Sequence, residues 1–293
     1  MQTGHAERPD RLRAINQYLS ATGLLDRLEQ RTAAPVDDLI LATVHDPAYL
    51  ASLKAMSPKS GIVAVDPDTA MCPATLTAAH LAAGAVADAV RAVLAGEAQT
   101  AFCAVRPPGH HAERDAAMGF CFYNNVAVGA SVALSQPGIE RVAILDFDVH
   151  HGNGTVNIFA DRPEVLVCST FQHPFYPNRY HEIERPNIVN TPLPAGTGSR
   201  DYRAAVEAAW LPALQRHRPD LILVSAGFDA HKDDPLAELE LTEADYTWIT
   251  TLITDAAARY SRNRVVSTLE GGYDLNALAR SVAAHVEVLA SPP

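Results

Sequence analysis

From residue 101 onward the chain alternates short apolar or β-branched runs with stretches whose apolar residues fall at helical spacing. This is how a parallel sheet built of βαβ units reads. The expected strands are 101 to 105, 142 to 149, 165 to 170, 221 to 227 and 264 to 269. Val206, Trp210 and Leu214 mark one helix, Ile249, Leu252, Ile253 and Ala256 a second, and Leu278, Val282 and Leu289 a third. Upstream, Leu12, Ile15 and Leu19 repeat at helical spacing before Gly23. Asp46 followed by Pro47 reads as an N-cap with proline at the first helical position, opening a helix through Leu53. Residues 57 to 75, rich in Pro, Asp, Ser and Thr, read as a surface loop, and Leu76 to Leu94 as an alanine-rich helix. No internal repeat or low-complexity linker appears, so one α/β domain over residues 1 to 293 is expected.

Four strand candidates run directly into unusual polar loops. These are Arg106-Pro-Pro-Gly-His-His111, Asp146 to Asn153, Ser225-Ala-Gly-Phe-Asp-Ala-His231 and Leu269-Glu-Gly-Gly-Tyr-Asp274. Ligands of open α/β sheets bind beyond the carboxyl ends of the strands, which places four loops around one crevice. The second loop is the densest in chemistry: Asp146, Asp148, His150 and His151 follow an apolar run. If 142 to 149 is a strand, Asp146, Asp148 and His150 share one face while Phe147 and Val149 take the other. Two buried carboxylates on one face demand a cation or strong donors. The alternative is a hydrogen-bonded strand end with one structural aspartate, against which His150, His151 and the turn glycines Gly152 and Gly154 weigh.

A catalytic zinc site needs three protein ligands and an open position. Asp148 and His150 supply two, and Asp229 on another strand end is the natural third. That donor set cancels the charge of Zn²⁺, so a water bound there needs a base. His110 and His111 meet the need, with Asp146 and Asn153 as partners for their second ring nitrogens. Fe²⁺ can share such a site. Tyr273 follows Gly271-Gly272 and could aim a phenol at the oxyanion formed by water attack on a carbonyl, though an ordinary turn tyrosine is the other reading. His173 and His231 read as surface or supporting histidines, and His5 as no ligand.

Composition narrows the field modestly. A 48% hydrophobic content provides for a sizeable core, and Lys plus Arg at 23 against Asp plus Glu at 34, net −11, argues against a nucleic-acid partner while tolerating cationic substrates. Cys72, Cys103, Cys121 and Cys168 have no CxxC spacing and read as reduced. No basic-then-apolar leader and no run approaching eighteen apolar residues is present, so a cytoplasmic address without a membrane partner is expected.

As a set, five stretches resemble the histone deacetylase family, class II-like, a group that includes bacterial deacetylase-like amidohydrolases and acetylpolyamine amidohydrolases. They are Arg-Pro-Pro-Gly-His-His-Ala (106 to 112), Met-Gly-Phe-Cys-Phe-Tyr-Asn-Asn (118 to 125), Asp-Phe-Asp-Val-His-His-Gly-Asn-Gly-Thr (146 to 155), Ser-Ala-Gly-Phe-Asp-Ala-His (225 to 231) and Leu-Glu-Gly-Gly-Tyr (269 to 273). The resemblance implies an arginase/deacetylase-type α/β fold, an open, mostly parallel sheet of about eight strands with helices on both faces. It implies Zn²⁺ on Asp148, His150 and Asp229, His111 as general base and then acid, and His110 as its electrostatic support. Asp146 would pair with His110, Asn153 with His111, and Tyr273 would stabilise the oxyanion. Gly119 and Phe120, with Tyr176 opposite, would line a narrow channel bounded by Gly271 and Gly272.

The resemblance also implies structural K⁺ held by the Asp146 carboxylate and backbone oxygens of Asp146, Asp148, His150, Ser169 and Thr170, and a second K⁺ on carbonyls around Phe159 and Val165. Arg8 would lie near the glycine pair on an acetate exit path. Leu193-Pro-Ala-Gly-Thr-Gly198 is similar to a class II loop. Two departures stand out. The His-Ala-Glu-Arg-Pro motif begins at residue 5, without the strand that usually precedes it, so another subunit could cover that edge in a homo-oligomer. The loop after Tyr176 reads Pro-Asn-Arg-Tyr-His-Glu-Ile-Glu-Arg where relatives often have Pro-Gly-Thr-Gly. The expected substrate is an N-acetylated amine, either acetyl-lysine in a peptide or protein or a small acetylated amine. Leu236 stands where some polyamine-selective relatives carry an acidic gate. An acetylpolyamine amidohydrolase and an inactive metal-bound binding module are the alternatives.

Overall fold

The computed structural model describes residues 4–291. Six strands, β3 (Thr100–Cys103), β4 (Val142–Asp146), β5 (Val165–Gln172), β6 (Ile188–Leu193), β7 (Leu221–Ala226) and β8 (Val265–Leu269), form one sheet in the order β3-β8-β7-β4-β5-β6. Every neighbouring pair is parallel. The count of about eight strands in this sheet is thus corrected to six. The remaining two, β1 (Val63–Ala64) and β2 (Ala70–Met71), make a separate antiparallel pair within the segment read as loop.

The strands of a parallel sheet are covered on both faces, and side-chain alternation assigns each residue to one cover. Val142 and Ile144 of β4, Val165 and Val167 of β5, and Leu221 and Leu223 of β7 share a core with α3 (Pro47–Met56), α4 (Thr75–Ala95), α5 (Asn125–Leu134) and α6 (Asn153–Phe159). Ala143, Leu145, Leu166, Cys168, Ile222 and Val224 face α1 (Asp10–Ala21), α7 (Ser199–His217), α8 (Glu243–Tyr260) and α9 (Leu275–Ala290). A one-turn helix, α2 (Asp38–Leu41), precedes α3. The cap read at Asp46 is made, its carboxylate accepting from the Ala48 N–H at 2.7 Å.

Two elements carried no clear pattern. Helix α5 is buried on nearly every side, so it shows no amphipathic stripe. Strand β6 pairs only with β5 and carries Asn190, Thr191 and Pro192, residues an edge strand tolerates and a central one does not.

Topology places the site. From β4 the chain moves outward through β5 to β6, then returns to lay β7 on the other side of β4 and continues to β8. The strand order therefore reverses between β4 and β7, and the loops leaving their carboxyl ends diverge over a crevice.

Beneath that crevice, His285 of α9 is fully buried, with Nδ1 2.7 Å from Thr250 Oγ1 and Nε2 2.8 Å from Ser267 Oγ. Its ring packs edge-on against Phe147 and Phe228 at 5.7 and 5.8 Å. Burial pushes the imidazole down to about 3. The folded chain thus holds it neutral, and its contribution to stability is present above the unfolded value near 6.5 and lost as pH falls toward 3. Urea unfolding followed against pH should show stability falling by up to about 1.4 kcal/mol per pH unit from this group across that window, with a shallower limb in His285→Gln.

Candidate metal centre

Strand β4 ends at Asp146, yet the alternation persists: Phe147 and Val149 stay in the α8 and α9 core, while Asp148 and His150 turn to the opposite side. There they meet Asp229 from the loop after β7, and one ligand atom from each of the three lies within 4.8 Å of the others. His150 Nδ1 stands 3.0 Å from Asp148 Oδ1 and 3.1 Å from Asp229 Oδ2. The backbone braces both carboxylates: Asp148 accepts from the N–H groups of His150 (2.9 Å) and Gly271 (2.8 Å), and Asp229 from that of Val149 (3.0 Å). Burial alone would lower the His150 pKa, but hydrogen bonds to Asp148 and Asp229 raise it to about 10. The pocket draws positive charge to this point. Two carboxylates and an imidazole are a donor set that suits a divalent cation with room for further ligands.

The loop after β3 brings the two adjacent histidines alongside, their rings 4.0 Å apart. His110 Nδ1 meets Asp146 Oδ2 at 2.9 Å, and His111 Nδ1 meets Asn153 Oδ1 at 2.7 Å, as the sequence pairing required. Their environments act in opposite directions. Burial disfavours charge on His110, but Asp146 and Asp148 override it and hold that ring well above its ordinary value. His111 is held well below by burial, reinforced by His110 and His150. One imidazole carries the charge so that its neighbour stays neutral.

Glu270, inside the Leu-Glu-Gly-Gly-Tyr motif but with no role assigned from sequence, accepts from the N–H groups of Gly109 (2.6 Å) and His110 (3.2 Å) and from Ser225 Oγ (3.1 Å). It ties the histidine loop to β7 and β8. Asp234 was likewise missed. Its carboxylate accepts from the N–H of Tyr273 at 2.7 Å and so fixes the tyrosine loop. Burial raises the Tyr273 phenol well above its ordinary value although Arg11 opposes this, so the hydroxyl keeps its proton.

Above the centre, Gly119 (φ 56°) and Phe120 (φ 69°) form a left-handed pair. A Cβ on Gly119 would overlap the His111 ring, and the Phe120 N–H donates to Thr69 Oγ1 at 3.0 Å. Phe120 thereby stands 6.1 Å from the Tyr273 ring, with His5 edge-on behind it at 4.7 Å. Across the opening Tyr176 lies 5.3 Å from His111, and Phe175, which the sequence did not single out, stacks on His150 at 5.2 Å. Leu236 is partly exposed, its N–H bonded to Asp234 at 3.0 Å.

Several expectations are corrected. Arg8 lies just ahead of α1 with its side chain 43% exposed beside Asp10. The cation beside the glycine pair is Arg11, which the first turn of α1 points inward. It donates to the carbonyls of Gly272 (2.7 Å) and Glu270 (2.5 Å), stands 5.0 Å from the Tyr273 ring, and its buried Nη1 lies 3.6 Å from the buried Glu7 carboxylate. His151 turns away to Asn190 at 2.9 Å. His231 is buried, 3.4 Å from Glu243, and His173 rests on His181 at 4.3 Å.

The two K⁺ positions differ. Ser169 pairs in register with Asp146, and its buried Oγ has no hydrogen-bond partner, so the oxygens there fit a monovalent cation. The carbonyls of Phe159, Arg162 and Val165 instead accept from Asn187 Nδ2 at 2.9, 3.1 and 3.0 Å. At that second location the side-chain amide of Asn187 occupies the point on which the three carbonyls converge.

A cation cradle at the switch point of a parallel sheet, flanked by one charged and one neutral imidazole, defines a metal-dependent hydrolase. Residues 5–289 match the histone deacetylase domain, and the chain belongs to that family. It is 43% identical over 277 residues to the histone deacetylase-like amidohydrolase of Pseudomonas aeruginosa, covering 92% of this chain and 73% of that one. The polyamine deacetylase HDAC10 of Mus musculus is 37% identical over 98% of this chain, which spans 45% of that protein. The crystal structure of the HDA15 HD domain superposes with a TM-score of 0.93 at 36% identity, covering 99% of this chain and 83% of that one. The chain is accordingly a deacetylase of the amidohydrolase type.

Gly271 offers a direct test of the cradle, because a Cβ there would overlap the Asp229 and Asp148 carboxylates. Gly271→Ala should weaken Zn²⁺ binding by at least about 10-fold in a competitive chelator titration, while the melting transition of the metal-free protein stays cooperative.

Proposed function

We propose that the chain is a zinc-dependent deacylase that hydrolyses the amide of an acetyl-lysine-like N-acetyl amine, releasing acetate and the free amine. The observation that carries this reading is a neutral His111, its Nδ1 tied to Asn153, set against the Asp148, His150 and Asp229 cluster. Bound Zn²⁺ would polarise the carbonyl and acidify a water; Fe²⁺ is the other ion such a donor set takes. His111 Nε2 takes the proton of the attacking water and returns it to the departing amine. His110, charged against Asp146, stabilises the negative charge that develops, and the Tyr273 hydroxyl donates to the oxyanion. Phe120 and Tyr176 exclude water around the substrate stem, and the Arg11 guanidinium beside the glycine pair is the group proposed to guide acetate outward. A structural K⁺ beside Asp146 and Ser169 is part of the same reading.

Leu236 favours acyl-lysine over acetylated polyamine, because an aliphatic side chain at the rim offers no charge to a substrate's distal ammonium. Metal-quantified protein assayed on acyl-lysine peptides and acetylated polyamines should prefer the peptides; the opposite preference removes this substrate assignment. Tyr273→Phe should lower kcat about 100-fold or more with metal retained. His111→Ala should abolish turnover without loss of metal, and unchanged turnover would refute its role as base.

A further inference from the structure

The base role of His111 requires one tautomer. The proton must sit on Nδ1 so that Nε2 is free. Asn153 alone cannot enforce this, since a carboxamide turned over would present an N–H to the ring and favour the other tautomer. The structure contains a group that forbids the turnover. Asn153 Nδ2 donates to Glu113 Oε1 at 2.6 Å, and it also lies 3.3 Å from the His111 carbonyl oxygen and 3.2 Å from Met118 Sδ. Every neighbour on that side is an acceptor. Glu113 is buried, and its own backbone is fixed by N–H donation to the Ala116 carbonyl at 2.9 Å and by His45 Nδ1 at its carbonyl, also 2.9 Å. The same Oε1 lies 3.1 Å from Nε of Arg179, a half-exposed residue of the rim segment that departs from the pattern of relatives. Arg179 is braced in turn over the Tyr180 ring at 4.9 Å. That segment also carries Phe175 and Tyr176, which touch His150 and His111.

We propose that Glu113 is a positioning residue that sets the His111 tautomer through the Asn153 amide, and that Arg179 couples this setting to the rim of the substrate channel. An ionised carboxylate can only accept, so it fixes Nδ2 toward itself and Oδ1 toward His111. A neutral amide at position 113 can donate or accept and leaves both Asn153 orientations open. The inference rests on His111 being the base, and its test reads the tautomer directly, so the two ideas fail separately.

The experiment uses the zinc-loaded protein with ¹⁵N-labelled histidine. In the parent, His111 should show the Nδ1–H form. Glu113→Gln should populate the Nε2–H form and lower kcat about 10- to 100-fold, with KM on an acetyl-lysine peptide changed less than about threefold and zinc content unchanged. Glu113→Asp, which keeps an acceptor-only group, should retain the parent tautomer and supplies the same readout if the glutamine variant does not fold. Arg179→Ala should lower kcat severalfold in the parent and have no further effect in Glu113→Gln. An unchanged His111 spectrum in Glu113→Gln, or a loss carried wholly by KM or zinc, overturns the positioning role. Additive effects of the two substitutions overturn the coupling to the rim.

Discussion

Asp146, Asp148 and Asp229 are withdrawn from water at the ends of two adjacent strands, and each buried carboxylate carries a desolvation cost of several kcal/mol. The surrounding loops supply the donors that offset it. Backbone N–H groups of Asp148, Val149, His150 and Gly271 point at the three side chains, and His110 and His150 place imidazoles against them. Gly271 lacks a Cβ so that its N–H can come within reach. A cation completes the arrangement because the carboxylates outnumber the charged donors that the protein provides.

Charge also decides which histidine does what. His110 is paired with a carboxylate and lies near a second, whereas His111 has an amide partner and is buried beside the charged His110 and His150, and these differences separate two adjacent residues into a positive charge and a neutral base. Glu270, just past the neighbouring strand β8, holds the loop that carries both. The loop is held by Glu270 and Asn153 by Glu113, while Asp146 is held by the N–H of Asp148 two residues on.

What the sequence displayed was the chemistry that lies within contiguous motifs. Asp148, His150, Asp229, His110, His111 and their partners Asp146 and Asn153 were legible because strand alternation and the carboxyl-end rule converge on one crevice. The central strands were legible because they are continuous apolar runs. Glu270, Asp234 and Glu113 were not, since their importance lies in hydrogen bonds to Gly109, Tyr273 and Asn153, distant along the chain, and no local pattern encodes them. Arg8 was assigned the place that Arg11 takes, because the motif ends just ahead of α1 and only the helix direction shows that Arg11, in its first turn, enters the core. Asn187, just ahead of β6, carries no local signal of the three carbonyls its amide meets.

The left-handed Phe120 hangs by its N–H from Thr69, which belongs to the small hairpin of β1 and β2 rather than to the sheet. One wall of the channel is therefore suspended from a separate two-stranded element whose outer residues, Ile62 and Val63, are exposed. The hairpin is itself anchored, since Met71 is fully buried in the core that α3 and α4 share with the sheet and Thr69 is buried beside it. The channel wall and the catalytic groups thus hang from different parts of the chain, one from the turn between β1 and β2 and the other from the strand ends of the sheet.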